Sequence, residues 1–173
     1  MKKLKVKIYI EEGGLPPQKG KEGDAGLDVF AHLPNGFLSV SQGESAKIPL
    51  GFRYSFWEGH EYVTSMDPFT THISNWEISH DYYFEIRNRS GVGLRSGFTE
   101  LASICDASYR GVPHYCVAKV TSGNYIIHHH DKIAQMLIHP FVNPHRIDIE
   151  IVQTIEELGE TTRGSSGFGA SGT

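Results

Sequence analysis

Apolar and polar residues alternate with a period of two along much of this chain. The segment KVKIYI at residues 5–10 shows the alternation most clearly. It predicts a half-buried strand, because successive side chains of a strand point to opposite faces. One short helix is predicted within 90–98, and no stretch has the 3.6-residue periodicity of a long helix. Further short strands are predicted at 37–40, 46–56, 61–65, 81–87, 98–104, 114–120, 124–128, 132–139 and 146–152. The pattern predicts an all-β fold, which could be a sandwich, a jelly roll or a barrel.

Residues 57–80 interrupt this alternation. They contain both tryptophans of the chain together with three histidines, and they are predicted to form an inserted hairpin or a surface excursion. The sequence shows neither an internal repeat nor an interdomain linker. Residues 1–173 are therefore expected to form a single domain, long enough to bury a sizeable core.

Composition and charge exclude several classes of protein. Hydrophobic residues make up 39% of the chain and charged residues 21%, as in ordinary globular proteins. A formal net charge of -4 argues against a general nucleic-acid binder, which needs a basic face. No apolar run approaches the roughly 20 residues that span a bilayer, and the first residues, MKKLKVKIYI, lack the apolar region of a signal peptide. A cytoplasmic protein is expected, with neither a membrane nor a nucleic acid as a direct partner.

The two cysteines, Cys105 and Cys116, are too few for a disulfide framework. They are expected to be buried free thiols. The sequence HHHD at 128–131 raises the possibility of a metal site, because His128 and His130 could share one face of a strand. No pattern of Cys or Glu partners lies nearby, so an unusual turn is predicted there and a zinc site is not.

The stretch TTRGSSGFGASGT at 161–173 contains four glycines. Its GFGASG fits the G-x-G-x-x-G pattern, but a dinucleotide site requires a helix after the glycines, and the sequence ends one residue later. Two interpretations remain. The stretch is either a disordered terminus or a flexible lid, in which Arg163 and backbone N–H groups bind a phosphate and Phe168 covers a flat ring.

Three other segments carry candidate chemistry. Asp106 follows an apolar strand and could act as a general base for water, or it could be an ordinary turn residue. Asp24 and Asp28 could serve a Mg²⁺ ion or its waters, or they could be solvated acids beside a strand. Arg89 and Ser90 precede a possible helix and suit phosphate oxygens. Each signal is weak when it is taken alone.

The order of these segments is more specific than any one of them. The chain reads AGLD at 25–28, RSG at 89–91, DASYRG at 106–111, DKIAQ at 131–135 and RGSSGFGASG at 163–172. This series resembles the five ordered motifs of the trimeric dUTP diphosphatases, the dUTPases. The match extends from about residue 4 to the end of the sequence, apart from 57–80.

The resemblance implies a distorted jelly-roll subunit and a homotrimer whose active sites are shared among subunits. It also implies Mg²⁺-dependent hydrolysis of dUTP to dUMP and pyrophosphate, which supplies the precursor of dTTP and keeps uracil out of DNA. Asp106 is implied as the base that deprotonates the attacking water. Asp28 is implied to lie near the metal and to contact it through water. Residues 161–173 are implied to be a flexible C-terminal lid arm.

The same resemblance assigns the substrate contacts. Tyr109 would pack against the deoxyribose, and Phe168 would cover the uracil. Arg163 would contact the outer phosphate. Arg89, Ser90 and Gln135 would hold the triphosphate. The remaining implied substrate contacts are Gly91, Leu101 and Gly169.

The chain also departs from the family pattern. The third motif begins SICD, where the family usually has Gly, an apolar residue, Ile and Asp, and His129-His130 stand where Pro or Gly is common. Glu100 stands where the family usually has Asn in the base-binding hairpin. Either Glu100 points away from the base, or it accepts a hydrogen bond from an exocyclic amine such as that of cytosine. Hydrolysis of dCTP therefore stays open as an alternative.

Two other functions compete with dUTP hydrolysis. The related dCTP deaminases have Arg-Ser-Ser at the second motif and a catalytic Glu in the strand after the third. This chain has Arg89-Ser90-Gly91 and no Glu within 114–120. A regulatory or binding protein on the same scaffold is the second competitor, with 57–80 as its surface for a protein partner.

Overall fold

A computed structural model describes residues 2–63 and 71–161 of the chain. The described part is built from antiparallel β-strands and contains one short α-helix, α1 (Ser90–Ser96). No helix within these residues is long and apolar enough to cross a membrane. The strands are β1 (Lys2–Ile10), β2 (Gln18–Lys19), β3 (Leu27–Phe30), β4 (Phe37–Ser41), β5 (Ser45–Pro49), β6 (Phe52–Val63), β7 (Thr71–Ile78), β8 (Tyr82–Asn88), β9 (Phe98–Ala102), β10 (Ile104–Cys105), β11 (His114–Lys119), β12 (Asn124–His128) and β13 (Lys132–Pro140).

The strands form four antiparallel sheets. The largest has the order β10-β8-β13-β3-β2, and two three-stranded sheets have the orders β1-β6-β7 and β5-β11-β9. The fourth sheet is the pair β12-β4. Neighbouring strands are mostly distant in sequence, so the fold depends on long-range pairing, as expected of a distorted jelly roll.

The core lies between these sheets and is rich in aromatic side chains. Tyr54 packs at the centre, with its ring centroid 4.3 Å from that of Phe84 and 5.4 Å from that of Phe56. The inward positions of β6, β8, β11 and β13 alternate with more exposed ones, which is the period of two seen in the sequence. The largest fully buried side chains are Tyr115, Phe52, Phe56, Phe84, Ile48, Leu50, Ile86, Ile127, Met136, Val29, Val40 and Val117.

Several strand boundaries differ from the sequence-based prediction. The predicted strand 46–56 is divided between β5 and β6 at Leu50-Gly51, where Gly51 has a φ of 70°. Strand β6 then continues to Val63 instead of giving way to a separate strand at 61–65. The predicted strand 98–104 is divided at Ser103. The short strands β2 and β3 were not predicted, because few residues alternate there. Strand β7 lies within 57–80, for which a hairpin or a surface excursion was predicted.

Strands β6 and β7 pair antiparallel and form a hairpin, which is one of the two alternatives predicted for 57–80. Lys5 and Lys7 of β1 lie over the two tryptophans of this hairpin. Lys7 Nζ is 3.3 Å from the ring centroid of Trp57, and Lys5 Nζ is 3.6 Å from that of Trp76. The interpretation of residues 57–80 as an insertion stays a prediction.

The chain divides into two compact units, Met1–Phe141 and Val142–Thr173. The single domain predicted over 1–173 stays a prediction. In the second unit, the predicted strand 146–152 is wrong. Pro144–Arg146 forms a 3-10 turn in which the Asn143 side chain accepts a hydrogen bond from the His145 N–H. Ile147 has extended backbone angles, but residues 147–152 have no ladder partner among the described residues, although Ile147, Ile149 and Ile151 alternate as a strand would.

Candidate active site

Three of the five motifs meet in one cleft of about 600 Å³, which we call the Asp28 cleft. It is lined by residues of the segments 20–28 and 88–95 and by Gln135. The strand register explains this meeting. Gln135 of β13 lies opposite Asp28 of β3 on one side and opposite Arg87 of β8 on the other. The first and fourth motifs are therefore neighbours in a single sheet, and the second motif directly follows β8 of that sheet, although the three are far apart in sequence.

Charged side chains dominate the Asp28 cleft. Arg89 Nε lies 2.8 Å from Asp28 Oδ1, and Lys132 Nζ lies 2.9 Å from Asp28 Oδ2. Asp28 is the more buried partner, with 18% of its side chain exposed against 36% for Arg89. Arg95 and Asp24 also line the cleft. Arg89 and Arg95 thus line the cleft with two carboxylates, and Lys132 adds a third cation through its ion pair with Asp28. This excess of positive charge suits a polyanion.

Ser90 and Gly91 begin α1 at the edge of the same cleft. Arg89 is the N-cap residue, with extended backbone angles and no hydrogen bond from its side chain to the helix. A guanidinium has only donors and cannot accept the free N–H groups of a helix start, and the Arg89 guanidinium is directed to Asp28. Both Ser90 and Gly91 are exposed.

The third motif forms a second cleft of about 200 Å³, which we call the Asp106 cleft. Asp106 follows β10 and begins a turn in which the Tyr109 N–H donates to the Asp106 carbonyl at 3.1 Å. The Tyr54 hydroxyl donates to the same carbonyl, and burial raises the pKa of this phenol above its ordinary value, with Cys105 and Asp106 adding to the effect. The Asp106 residue itself is exposed.

Tyr109 lies against the backbone of its own motif. Its hydroxyl donates to the Val112 carbonyl at 3.2 Å, and a Cβ at Gly111 would overlap the Tyr109 ring. Arg110 donates to the Ala107 carbonyl at 2.7 Å and so closes the turn. A side chain at position 111 would therefore displace the Tyr109 ring.

The two cysteines are free but only half-buried, so the prediction of buried thiols is corrected. Cys105 lines the Asp106 cleft, and Cys116 lines it from the neighbouring strand β11. Burial raises the pKa of the Cys105 thiol to about 12, with Cys116 and Asp106 adding to the effect. A protonated thiol is a poor nucleophile, so this cysteine is not a candidate for covalent catalysis.

The histidines of 128–131 form the unusual turn that was predicted. His130 has a φ of 67°, and its ring centroid lies 3.6 Å from that of His129. His129 Nδ1 accepts the Leu33 N–H at 2.9 Å, and His130 Nε2 lies 2.8 Å from the Gly13 carbonyl oxygen. No group of three His, Cys, Asp or Glu residues in the described part of the chain could hold a metal ion.

The predicted site residues thus fall into four groups. Asp28, Arg89, Ser90, Gly91 and Gln135 share the Asp28 cleft, whereas Asp106 and Tyr109 share the Asp106 cleft. Leu101 lies on β9, 59% exposed, and lines neither cleft. The described residues that line one cleft do not line the other. The predicted lid residues Arg163, Phe168 and Gly169 lie outside the described residues.

Sequence reasoning missed four residues that shape these clefts. Lys132 was visible in the fourth motif, and its charge was the available signal. Arg95 and Asn88 flank the second motif and carry no pattern of their own. Tyr54 gave no signal, because its contact with Asp106 joins residues that are 52 positions apart.

Comparisons with known proteins agree with the motif order. The dUTPase family model matches residues 65–172. A deoxyuridine 5'-triphosphate nucleotidohydrolase of Fusobacterium nucleatum is 30% identical over 174 residues, which cover 99% of both chains. A protein of the same name from Paramecium bursaria Chlorella virus 1 is 30% identical over 177 residues and also covers 99% of both.

Solved structures agree with the fold. A mutant dUTPase of Staphylococcus bacteriophage 80alpha with dUpNHpp aligns over 99% of both chains, with a TM-score of 0.69 at 20% identity. A mutant dUTPase of the S. aureus phage phi11, described with a structural Mg(II) ion, aligns over 89% of this chain and 99% of its own, with a TM-score of 0.64 at 19% identity. The predicted all-β fold of the distorted jelly-roll type is confirmed. By its sequence motifs, its family model and its full-length relatives, this chain belongs to the dUTPase family.

Proposed function

We propose that this protein hydrolyses dUTP to dUMP and pyrophosphate. The observation that carries the proposal is the Asp28 cleft, in which Arg89, Ser90 and Gln135 from two different motifs line one space together with Arg95. Guanidinium groups bind phosphate oxygens with short charge-assisted hydrogen bonds. The family and the names of the full-length relatives supply the nucleotide, dUTP.

Phosphoryl chemistry depends on positioning and charge neutralisation more than on covalent catalysis. The Arg89–Asp28 and Lys132–Asp28 ion pairs hold two of the cations in place before any substrate binds. A triphosphate that enters the cleft would replace Asp28 as the ion-pair partner of Arg89. The proposed role of the cleft is to bind the triphosphate and to spread its negative charge.

Mg²⁺ fits this cleft as the companion of a bound triphosphate. The ion prefers oxygen ligands and keeps much of its hydration, and Asp24 and Asp28 offer carboxylates. Both oxygens of Asp28 are already ion-paired, so direct coordination by Asp28 is disfavoured. We propose that Asp28 would hold the hydrated ion through water, beside the bound triphosphate. When bound, the ion would neutralise phosphate charge.

We propose that Asp106 is the general base that takes a proton from the attacking water. Its exposed carboxylate projects from a turn whose backbone is fixed by Tyr54 and Tyr109. Tyr109 would pack against the deoxyribose and leave no room for a ribose 2′-hydroxyl. A positioned carboxylate base contributes typically about 10²–10⁴-fold to the rate.

We further propose a homotrimer in which each active site is shared among subunits. The base-bearing Asp106 cleft and the phosphate-binding Asp28 cleft have no lining residue in common among the described residues. One chain therefore offers two incomplete halves of a site. A neighbouring copy that presents its Asp106 cleft to the Asp28 cleft of the first would complete both.

Residues 161–173 are proposed to close this shared site as a lid. Arg163 would contact the outer phosphate, Phe168 would cover the uracil, and Gly169 would let the backbone approach the substrate. Exclusion of water would strengthen the electrostatic contacts inside the site.

The proposed biological role follows from the reaction. Removal of dUTP keeps uracil out of DNA, and dUMP is the precursor of dTTP. The expected partner is free dUTP in the cytoplasm, without direct contact with nucleic acid or membrane. A second role for 57–80 as a surface for a protein partner is favoured by Trp57 and Trp76, since tryptophans are enriched in interfaces.

The proposal is tested by measuring pyrophosphate released from dUTP, dTTP, UTP and dCTP separately, with and without Mg²⁺. We expect fast release from dUTP with Mg²⁺ and much slower release from dTTP and UTP. An equal or greater rate with dCTP would overturn the substrate assignment. Release of ammonia from dCTP would instead identify a deaminase.

A further inference from the structure

Asn88 is held by hydrogen bonds at its backbone and at its side chain. It is the last residue of β8 and directly precedes Arg89 and Ser90. Its N–H donates to Glu100 Oε1 at 2.6 Å, and its carbonyl accepts from Gln135 Nε2 at 3.0 Å. Its side-chain amide donates to the Phe98 carbonyl at 3.0 Å and accepts from the Tyr115 hydroxyl. Hydrogen bonds to its backbone and to its side chain therefore fix Asn88, the residue that leads into the second motif.

Glu100 supplies the charged contact in this group. It is half-buried in the middle of β9, while the preceding residue, Thr99, and the following residue, Leu101, are exposed. A hydrogen bond from a backbone N–H to a carboxylate is shorter and stronger than one between neutral groups. Burial raises the pKa of the Tyr115 phenol and the nearby Glu100 carboxylate raises it further, so the phenol remains a donor to Asn88.

The Asn88–Glu100 hydrogen bond links β8 to β9, and one residue of each strand lines one of the two clefts. Asn88 and Gln135 line the Asp28 cleft, and Ala102, two residues after Glu100 on β9, lines the Asp106 cleft. Glu100 thus ties the strand that precedes the third motif to the backbone that presents Arg89. Glu100 Oε1 accepts the Asn88 N–H, so the carboxylate is directed toward the backbone of β8.

We propose that Glu100 is a positioning residue that fixes Asn88, and through it Arg89 and Ser90, for binding of the phosphates, and that it does not select the base. The proposal deepens the proposed function and rests on it for the identity of the triphosphate. It also explains how Glu100 can stand where related enzymes usually have Asn in the base-binding hairpin: its carboxylate contacts Asn88. Loss of the carboxylate should weaken phosphate binding whatever base the nucleotide carries.

The test uses inorganic tripolyphosphate, a probe that has phosphates and no base. Its binding to the full-length protein is measured calorimetrically with Mg²⁺, beside the KM and kcat for dUTP and dCTP. The variants are Glu100→Ala, which removes the acceptor, and Glu100→Gln, which keeps an oxygen acceptor without the charge. Glu77→Ala is the matched control, because it makes the same chemical change at an exposed position of β7.

For Glu100→Ala we expect tripolyphosphate binding to weaken about tenfold, the scale of a lost hydrogen bond to a charged group. The KM for dUTP should rise while the ratio of dUTP to dCTP turnover stays unchanged. Glu100→Gln should bind tripolyphosphate within about threefold of the unmodified protein, since the amide oxygen still accepts the Asn88 N–H. The control should bind as the unmodified protein does.

Unchanged tripolyphosphate binding in Glu100→Ala would overturn the proposal, and so would a change in dUTP-to-dCTP preference in Glu100→Gln. If Glu100→Ala does not fold, Glu100→Asp replaces it as the test variant, because the shorter side chain keeps the charge but withdraws it from Asn88. Unchanged tripolyphosphate binding in Glu100→Asp would overturn the proposal. If the unmodified protein binds tripolyphosphate but does not hydrolyse dUTP, the proposed function fails while the role of Glu100 is still measured.

Discussion

Asp106 combines an exposed carboxylate with a backbone that is held in place. The Tyr54 hydroxyl and the Tyr109 N–H both donate to its carbonyl, and Arg110 closes the turn at the Ala107 carbonyl. The supporting hydrogen bonds go to main-chain atoms, so the carboxylate is left free to approach a water molecule. A fixed backbone under an exposed reactive group is the arrangement that a general base needs.

Replacement of Asp106 by Asn should separate binding from chemistry. The amide has nearly the shape of the carboxylate but cannot take a proton, so Asp106→Asn should hydrolyse dUTP at least about a hundredfold more slowly. It should still bind a non-hydrolysable dUTP analogue with an affinity close to that of the unmodified protein. Pyrophosphate release and calorimetric binding measure the two effects. A rate equal to that of the unmodified protein would remove Asp106 from the mechanism.

The Cys105 thiol should make stability depend on alkaline pH. Its pKa is raised from 9.0 to about 12 in the folded protein, so the folded state keeps a proton that the unfolded state loses. This stabilisation is fully present below pH 9.0 and is lost as the pH rises toward about 12. The free energy of unfolding should therefore fall between about pH 8 and about pH 9.5, and it should fall less in Cys105→Ala. Urea titrations at the two pH values measure both slopes, and equal slopes would contradict the assignment to Cys105.

At the scale of elements, α1 depends on the glycine that ends it. Gly97 has a φ of 65°, and its N–H donates to the Gly93 carbonyl. Its own carbonyl accepts the Val120 N–H at 2.9 Å, which ties the helix end to the loop after β11. The buried Lys119 completes this junction, because its ammonium donates to the Ser96 carbonyl and to Thr121 Oγ1, both at 2.8 Å. The position of α1, and with it the second motif, is fixed from its C-terminal end.

Substitution of Gly97 should destabilise the protein more than substitution of a matched glycine. A Cβ at Gly97 would overlap Thr121, whereas one at Gly123, which has a φ of 75°, would meet no atom within 4 Å. Gly123→Ala should cost only the backbone strain of about 1–2 kcal/mol. Gly97→Ala should cost a further 1–3 kcal/mol or so, because the loop must shift to admit the new atom. Free energies of unfolding in urea measure the difference, and equal losses would show that the packing against Thr121 is unimportant.

At the scale of the whole molecule, one chain carries the two halves of the proposed site in different places. The proposed phosphate-binding residues Arg89, Ser90 and Gln135 line the Asp28 cleft, although β10 belongs to the same sheet as β3, β8 and β13. The Asp106 cleft lies at β10 and the turn that leads into β11. A catalytic base and the phosphates that it serves must be within reach of each other. We therefore expect catalysis to depend on assembly.

Shared sites predict that two inactive variants restore activity when they are mixed. Arg89→Ala disables the phosphate-binding half, and Asp106→Asn disables the base-bearing half. If each site takes these halves from different subunits of a trimer, random 1:1 mixing should yield about a quarter of the normal sites. Turnover of dUTP by trimers refolded from the mixture measures the recovery, and trimers of each variant alone are the controls. Activity no greater than that of the separate variants would contradict the shared site.

The sequence by itself determined much of this protein. The period of two predicted strands at the positions of β1, β8, β11, β12 and β13, because a half-buried strand exposes alternate residues to the core. The order of five short motifs determined the family, which the relatives confirm. The same local pattern was misleading at 146–152, where alternating isoleucines follow a 3-10 turn and have no ladder partner among the described residues.

The tertiary structure decided which of these motifs meet. Pairing of β13 with both β3 and β8 places Gln135 beside Asp28 and the second motif, and the same fold leaves Asp106 in a separate cleft. It also decided the direction of Glu100, which the sequence left open between the base and another partner. Local periodicity records which face of a strand is buried. It does not record which distant strand lies beside it, and that pairing sets the distances on which ion pairs and hydrogen bonds depend.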